Sequence, residues 1–551
     1  MPRTATGING IASRAAATSP GRTALAALTL ARLRLAIHRG GAIGGAIETA
    51  RRARFLADRG EHTHAHRLLG RARGLLGGRR AAAVVAVEEA ILAMNTGAQT
   101  AAGALPPNAL TDLLAQADAA WEAGADAAAE ELLDMATRAM FHPSLHFSAA
   151  PSALAADPAV FLSPLRASSA WAAATAPLPA RRRTPRGRGG PRRLLFISLR
   201  NWNFVGGIVE DYRADVRCEV RTLDLLDLSL RPSRRSLLHA RLRLARGADL
   251  AGAGLLTGIS DDIAAALAWA DTIFVEWGSA AAVWASLLAP VLAPQARLLI
   301  RIHSYEASTV MPQLVDWAAV DQLVTVAPAI REILRASLHL PETLEVITVP
   351  NRAQLQRFAL PKEPSAARTL ALVGWAALRK DPAWALDTLD LLRQTDPAWH
   401  LLLIGPGFSS HLSPEERIYA DTVTARLAAL GDAVTITGRT EVVEQYLRRA
   451  GVIISASRRE GTHEGFIEGV ASGALPVCRN WPDVARWGGP AALFPEDWVV
   501  NTPQEAAARI LALADDADYR RRQQEHILRT NDWSHVRVHY DALLLGAAAA
   551  G

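Results

Sequence analysis

From Leu194 onward the chain alternates short β-rich runs with helical stretches, and no other feature restricts its fold as much. The runs form two series. The first comprises Leu194–Ser198, Thr272–Val275, Leu298–Ile302, Gln322–Val326 and Glu345–Val349. The second comprises Leu370–Val373, Leu401–Ile404, Ala433–Thr437, Val452–Ser455 and Leu475–Cys478. Parallel strands need a crossover, usually a helix, so strands separated by helices predict mostly parallel sheets. Two series of about 150 residues each predict two doubly wound α/β domains. The hinge is expected near Pro350-Asn351-Arg352 and the polar stretch to Ala367.

Before Leu194 the texture differs. Residues 22–140 are rich in Ala, Leu and Arg and read as helices. Ala53, Leu56, Gly60, Ala65 and Ala72 share one spacing with Ala117, Ala120, Gly124, Ala129 and Ala136. Each set reads as a helix, a Gly turn and a second helix. The pattern resembles a tetratricopeptide hairpin, and a plain helical bundle fits it equally well. In either case the region is expected to serve packing or a protein partner. The expected order is a helical region at 1–175, an Arg/Pro/Gly-rich linker at 176–192, a first α/β domain at 193–352, a second at 353–525 and a closing helix at 526–545.

Charge and apolar runs narrow the function classes. The run Arg181 to Arg193 holds a large share of the net charge of +6, but its Pro and Gly favour a solvated linker over a nucleic-acid surface. A weak contact with anionic lipid headgroups stays open. The uncharged stretch Trp277 to Ala296 is Ala-rich, contains Pro290 and Pro294 and lies between two strands, so a buried helix explains it better than a membrane span. Two cysteines, Cys218 and Cys478, build no disulfide framework. With no secretory signature, a cytoplasmic protein is expected, at most peripheral to the inner face of a membrane.

Ligands of doubly wound sheets bind beyond the carboxyl ends of the strands, and that rule selects the residues to inspect. After the first strand come Gly206 and Gly207, which let backbone approach a ligand closely. No G-x-G-x-x-G stands there, so a nicotinamide or flavin cofactor is not indicated. Glu276 follows the second strand of the first series, and Arg301, His303 and Glu306 surround the end of the third. Gly374 follows the first strand of the second series and leads to Arg379 and Lys380; Gly405 closes the next strand. Only two of the 60 basic residues are lysine, Lys362 and Lys380. Lysine is a compact point charge where arginine is a planar fork, so its use here asks for a local reason.

The most informative segment follows Val452–Ser455. Glu460 and Glu468 are separated by seven residues, with Gly461, Thr462, His463, Glu464, Gly465, Phe466 and Ile467 between them. Gly461 and Gly465 mark a turn that opens a helix at about Gly465, placing Glu468 in its first turn. Unbonded N–H groups at a helix start suit a phosphate.

This segment resembles the signature of the retaining GT-B glycosyltransferases of group 1, or family 4: Glu, seven residues, Glu, then small residues and A-x-G-x-P-V, here Ala471 to Val477. Leu372-Val373-Gly374 to Lys380, Leu403 to Gly407, Val434 to Gly438, Val349-Pro350-Asn351 and Trp533 with the closing helix resemble the other motifs of that family in order. The likeness covers about residues 193–545 and not the helical region. It implies two Rossmann-like domains in the GT-B arrangement and transfer of a sugar from a nucleotide-sugar donor, with retention, to a glycan, lipid-linked or small-molecule acceptor, as in polysaccharide biosynthesis. It implies catalytic roles for Lys380, Glu460 and His303. Donor contacts are expected from Gly206, Gly207, Gly374, Arg379, Lys380, Gly405, Glu460, Gly461, Thr462, Glu464, Gly465, Phe466 and Glu468, and acceptor contacts from Glu276, Arg301 and Glu306. The nucleotide-sugar is a substrate, and no cofactor or essential metal is expected. One departure stands out: the family places Arg after the Gly of V-G-R, and this chain has Trp375. Two alternatives stay open, a sugar-nucleotide epimerase and a non-catalytic GT-B-like partner subunit.

Overall fold

The computed structural model describes residues 41–75, 78–97, 107–148, 150–179 and 190–546. The N-terminal stretch to residue 40 and most of the expected linker, residues 180–189, lie outside the described residues. The chain divides into two compact units, one formed by the helices up to His142 with Ser168–Ala170, the other by the remainder.

The first unit is helical. A helix ending at residue 58 is followed by His62–Leu75, Arg79–Thr96, Pro107–Glu122 and Asp126–Met140. The turns fall at Gly60 and Gly124, and the small residues Ala53, Ala65, Ala72, Ala117, Ala129 and Ala136 are buried. Small side chains let neighbouring helices approach closely. Glu131 is buried among them and is neutralised by Arg54 at 2.6 Å and Arg51 at 3.0 Å.

The second unit starts with the short helices Pro143–His146, Ala153–Ala156 and Pro158–Arg166, which cluster with the sheets rather than with the helices before them. Two six-stranded parallel sheets follow. The first comprises β1 (Arg192–Ser198), β2 (Cys218–Asp224), β3 (Thr272–Glu276), β4 (Arg297–Ile302), β5 (Gln322–Thr325) and β6 (Glu345–Thr348), in the order 2-1-3-4-5-6. The second comprises β7 (Thr369–Val373), β8 (His400–Ile404), β9 (Val434–Ile436), β10 (Val452–Ser455), β11 (Leu475–Arg479) and β12 (Val499–Val500), in the order 12-11-10-7-8-9. Central strands such as β3 and β10 are buried along their whole length, as helices on both faces require. Strand order reverses between β1 and β3 in one sheet and between β7 and β10 in the other, the crevices where such sheets take ligands. Two doubly wound parallel α/β sheets in one chain are the fold class expected from the sequence.

The uncharged stretch after Glu276 is the helix Ala280–Leu292, buried in the unit with Pro290 inside it. Among the described residues no helix is long and apolar enough to cross a membrane. At the C-terminus Asp532 breaks the helical run into Ala517–Asn531 and Trp533–Leu545. The last helix packs Trp533, Val536, Tyr540, Leu543 and Leu544 against Leu194, Phe196 and Phe274 of the first sheet. Its carboxyl-terminal carbonyls are bonded by that sheet: Thr272 Oγ1 donates to Leu544 O at 3.0 Å and Arg297 to Leu543 O at 2.8 Å. The chain thus returns from the second sheet to the first.

Candidate functional site

The segment after β10 is shaped by one strained residue. His463 adopts a left-handed conformation, φ 58° and ψ 67°, and forms the N-cap of the helix Glu464–Ala471. Its ring is buried and its Nδ1 lies 2.7 Å from Ser455 Oγ, which also accepts the Trp481 indole N–H at 3.0 Å. The hydroxyl thus joins the His463 ring to the Trp481 indole. Burial, reinforced by Lys380, pushes this histidine down to about 3, so it stays neutral. It pins the loop to the strand that precedes it. The helix starts at Glu464, so Glu468 is its fifth residue and opens the second turn. Close packing requires Gly465, because an added Cβ would sit 2.6 Å from Val373 Cβ at the end of β7.

Lys380 and Glu460 meet at the base of the cleft. Lys380 Nζ is 2.7 Å from Glu460 Oε1, Ser457 Oγ donates to the same oxygen at 2.6 Å, and an Arg379 nitrogen stands 3.6 Å from Oε2. Both partners are largely buried. Burial works against the Glu460 charge, but Lys380 first, with Arg379, outweighs it and holds the carboxyl at about 2. Gly374, at φ 67°, takes a conformation that costs other residues, and the Lys380 side chain passes above it. Beyond Lys380, Asp381 accepts from Arg479 at 2.6 Å and from Tyr419 at 2.7 Å, fixing the turn.

Trp375 stands where the family has Arg. It is 2% exposed and packs edge-on against Phe408 within the core of the second sheet. Its role is packing. Among the described residues the Lys and Arg side chains that line the cavity are Lys380, Arg379 and Arg459.

From the first sheet, His303 reaches the same cavity, stacked on Trp277 at 4.2 Å and flanked by Phe204 at 5.0 Å. Its Nε2 lies 2.7 Å from Glu276 Oε1. Burial lowers its pKa, with Glu276 opposing and Arg301 assisting. Glu276 and Arg301 lie behind it, fully buried. Arg301 bonds Glu276 Oε2 at 2.7 Å, the Tyr540 hydroxyl and the Phe204 carbonyl at 3.2 Å. Glu306 accepts the His303 N–H at 3.0 Å, and burial pushes it up to about 8. The structure does not bring Glu276, Arg301 or Glu306 to the cavity wall; they hold His303 and tie β3 and β4 to the last helix.

The cavity measures about 580 Å³ and lies between the carboxyl ends of the two sheets. Gly374, Arg379, Lys380, Glu460, Gly461, Thr462, Glu464, Gly465 and His303 line it. Gly206, Gly207, Gly405, Phe466 and Glu468 do not. Gly207 lies under the Arg352 side chain, and Gly405 backs onto the Gly374 backbone. Phe466 is buried against Phe494 and Trp498. Glu468 is raised to about 7 by burial and by the nearby Glu464 charge. Asn351 of the hinge donates to Glu464 at 2.8 Å, joining the two sheets' segments across the cleft.

Sequence reasoning passed over Phe147, Tyr305, Arg459 and Asp483, which also line the cavity. Arg459 carried a usable signal, since it directly precedes the first signature Glu. Phe147 carried none, because it stands in the expected helical region, far in sequence from every motif of the site.

Residues 367–516 match the family described as glycosyl transferases group 1. A similar curated protein is the GDP-mannose:cellobiosyl-diphosphopolyprenol alpha-mannosyltransferase of Xanthomonas oryzae pv. oryzae, 23% identical over 212 residues, which are 38% of this chain and 54% of the relative. The chain thus spans about half the length of that relative. Among solved structures, Anabaena HepE in complex with UDP and glucose is 14% identical, with 64% of this chain and 99% of the other covered and a TM-score of 0.46. A UDP-forming alpha,alpha-trehalose-phosphate synthase from Burkholderia xenovorans is 16% identical, with 65% and 99% covered and a TM-score of 0.47.

Proposed function

We propose that this chain is a glycosyltransferase that moves a sugar from a nucleotide-sugar donor to an acceptor with retention of configuration. The observation that carries the reading is the buried Lys380–Glu460 pair, set beside a helix N-terminus at the strand-order reversal of the second sheet. Departure of a nucleoside diphosphate leaves charge on phosphate oxygens and positive character on the sugar. Catalysis then consists of stabilising the leaving group and positioning the acceptor. Lys380 supplies a desolvated cation for the phosphates, with Arg379 beside it. The amides of Phe466 and Ile467 bond the His463 carbonyl, so those of Glu464 and Gly465, ahead of them, are placed to meet a phosphate oxygen. Glu460, held ionised, suits a sugar hydroxyl and the charge that develops on the ring. Glu468, one turn into the helix and set behind the cavity wall, is the residue that the resemblance implies for the ribose hydroxyls. His303, neutral and bonded to Glu276, faces the cavity from the acceptor side.

The acceptor is a glycan or a lipid-linked sugar; the matched mannosyltransferase is named for a diphosphopolyprenol-linked acceptor. The protein works in the cytoplasm, peripheral to the membrane where the acceptor is lipid-linked, and the helical unit offers a surface for a protein partner. The test is a screen of nucleotide-sugars by thermal shift with the full chain, followed by mass spectrometry of products with acceptors present. A donor that stabilises the protein and yields a glycosylated product supports the reading. Stabilisation by no nucleotide-sugar, or turnover of donor alone to an epimer, overturns it.

A further inference from the structure

On the first-domain side of the cavity, a short piece of chain that precedes the sheets forms part of the wall. Phe147 stacks on Tyr305 at 4.6 Å and 17° between planes. The segment carrying it is anchored from both sheets' domains. Trp487 donates its indole N–H to Ala155 O at 2.7 Å, and Arg166 donates to Ser337 O at 3.1 Å. A buried His146–Ser152 bond of 2.8 Å fixes it internally.

Beneath the stack lies Arg459, its guanidinium 5.2 Å from the Phe147 ring centroid. Its side chain is 14% exposed. Neither terminal nitrogen, Nη1 or Nη2, has a hydrogen-bond partner among the described residues. The ring does not supply one, because an aromatic face attracts the cation as a whole and offers no oxygen or nitrogen lone pair to its N–H groups. The nearest carboxylate oxygen, Asp483 Oδ2, forms an ion pair with Nη1 at 3.6 Å, too long for a hydrogen bond, while the other oxygen of that carboxylate is engaged with Arg458 at 3.3 Å. The other carboxylate near it, Glu460, is engaged with Lys380. A buried cation with two unfilled nitrogens is costly unless something arrives to bond it. Both nitrogens are closed to solvent here and Arg459 lines the cavity, so an anion that bonds them comes from the cavity side and shifts the side chain toward it.

We propose that Arg459, beneath the Phe147–Tyr305 stack, is a subsite for an anionic group, carboxylate or phosphate, on the acceptor. The proposal rests on the glycosyltransferase reading and adds to it the chemical class of acceptor. The planar fork matches the paired oxygens of either anion. Tyr305, 54% exposed, offers a ring against which a sugar attached to the anion can lie. Lys380, engaged with Glu460, is left to the donor, so the two cations serve different substrates.

The experiment measures binding of three probes to the full chain by isothermal titration calorimetry, with UDP or GDP present and absent. Glucose 6-phosphate carries a phosphate, glucuronate a carboxylate, and glucose neither. Native protein is expected to bind at least one anionic probe about tenfold or more tightly than glucose. Which of the two binds assigns the anion. Arg459→Met should abolish the preference and leave UDP and GDP affinity unchanged, and Arg459→Lys should restore part of it. Equal binding of charged and neutral probes to the native protein, or binding of none of them, overturns the proposal. So does an Arg459→Met variant that keeps the preference. Loss of UDP and GDP affinity in that variant overturns it in favour of a donor contact. Should Arg459→Met fail to fold, the comparison on native protein, with inorganic phosphate as competitor, still decides. Failure of UDP, GDP and every nucleotide-sugar to bind would count against the catalytic reading separately, since probe selectivity is read without nucleotide.

Discussion

Removing the Lys380 ammonium should separate what that group does for stability from what it does for transfer. Lys380 and Glu460 form a 2.7 Å pair with little solvent access on either side. In Lys380→Met the Glu460 carboxylate keeps only Ser457 at 2.6 Å and a distant Arg379 at 3.6 Å. Breaking one side of a buried pair costs about 3–5 kcal/mol, because a charge is left behind. The second substitution, Glu460→Gln, removes that charge, so the double variant should regain much of the lost stability. Transfer should behave otherwise. Loss of one charge-stabilising group at a leaving group lowers turnover by roughly 10²–10³, and neutralising Glu460 does not replace it. The assay is urea denaturation of the single and double variants alongside their turnover under saturating donor. Near-native turnover in Lys380→Met, or turnover regained together with stability in the double variant, would refute the reasoning.

The two signature carboxylates should fail differently. Glu468→Gln should raise the donor KM and Glu460→Gln should lower kcat, because ribose contacts persist through the reaction while sugar charge develops only as the bond breaks. The same kinetic defect in both variants would contradict that division. Restoring the family residue, Trp375→Arg, should destabilise the protein by about 3 kcal/mol or more and not tighten donor binding, since the position is 2% exposed and the charge would be unpaired in the core; a variant of native stability with higher nucleotide affinity would show that the side chain can reach the cavity. Glu306, pushed up to about 8 by burial, takes up a proton on folding, so its contribution to stability is full below the ordinary carboxyl range, near 4.5, and is lost as pH rises through about 8. Glu306→Gln should therefore flatten the decline in unfolding free energy between those limits, and an unchanged slope would place the proton elsewhere.

The sequence made the alternation legible and the edges poorly legible, for physical reasons. Central strands such as β7 and β10 are apolar on both faces and stand out as short β-branched or Leu-rich runs. The edge strand β2, Cys-Glu-Val-Arg-Thr-Leu-Asp, alternates partly buried and exposed positions and carries charge, so it does not read as a run. At one edge of the second sheet β12 has two residues, too few for any pattern. At the site, the residues between Glu460 and Gly465 come together with Lys380 because they are close in sequence or sit at neighbouring strand ends. Glu276 and Arg301 looked equally well placed, each at a strand end. Their partners, Tyr540 of the last helix and each other, are what draw them inward, and such long-range pairing leaves no local mark. Residues 143–167, read with the helical region before them, instead join the sheets through Trp487, Ser337, Tyr305 and Arg459, none of which a local pattern reveals.

The near absence of lysine makes the protein an unusual substrate for amine chemistry. The surface is charged by guanidinium groups, which acylating reagents leave alone at neutral pH. Of the two primary amines on side chains, Lys380 is locked to Glu460, and Lys362 is bonded to Leu447 O at 2.9 Å and Ser472 Oγ at 2.8 Å. Burial pushes Lys362 down to about 7, so a fraction of it is an uncharged nucleophile at neutral pH while Lys380 stays masked as an ion pair. Acylation of Lys380 then reports opening of that pair, and occupancy of the cleft can be followed as protection of a single side chain against a background that carries one other lysine.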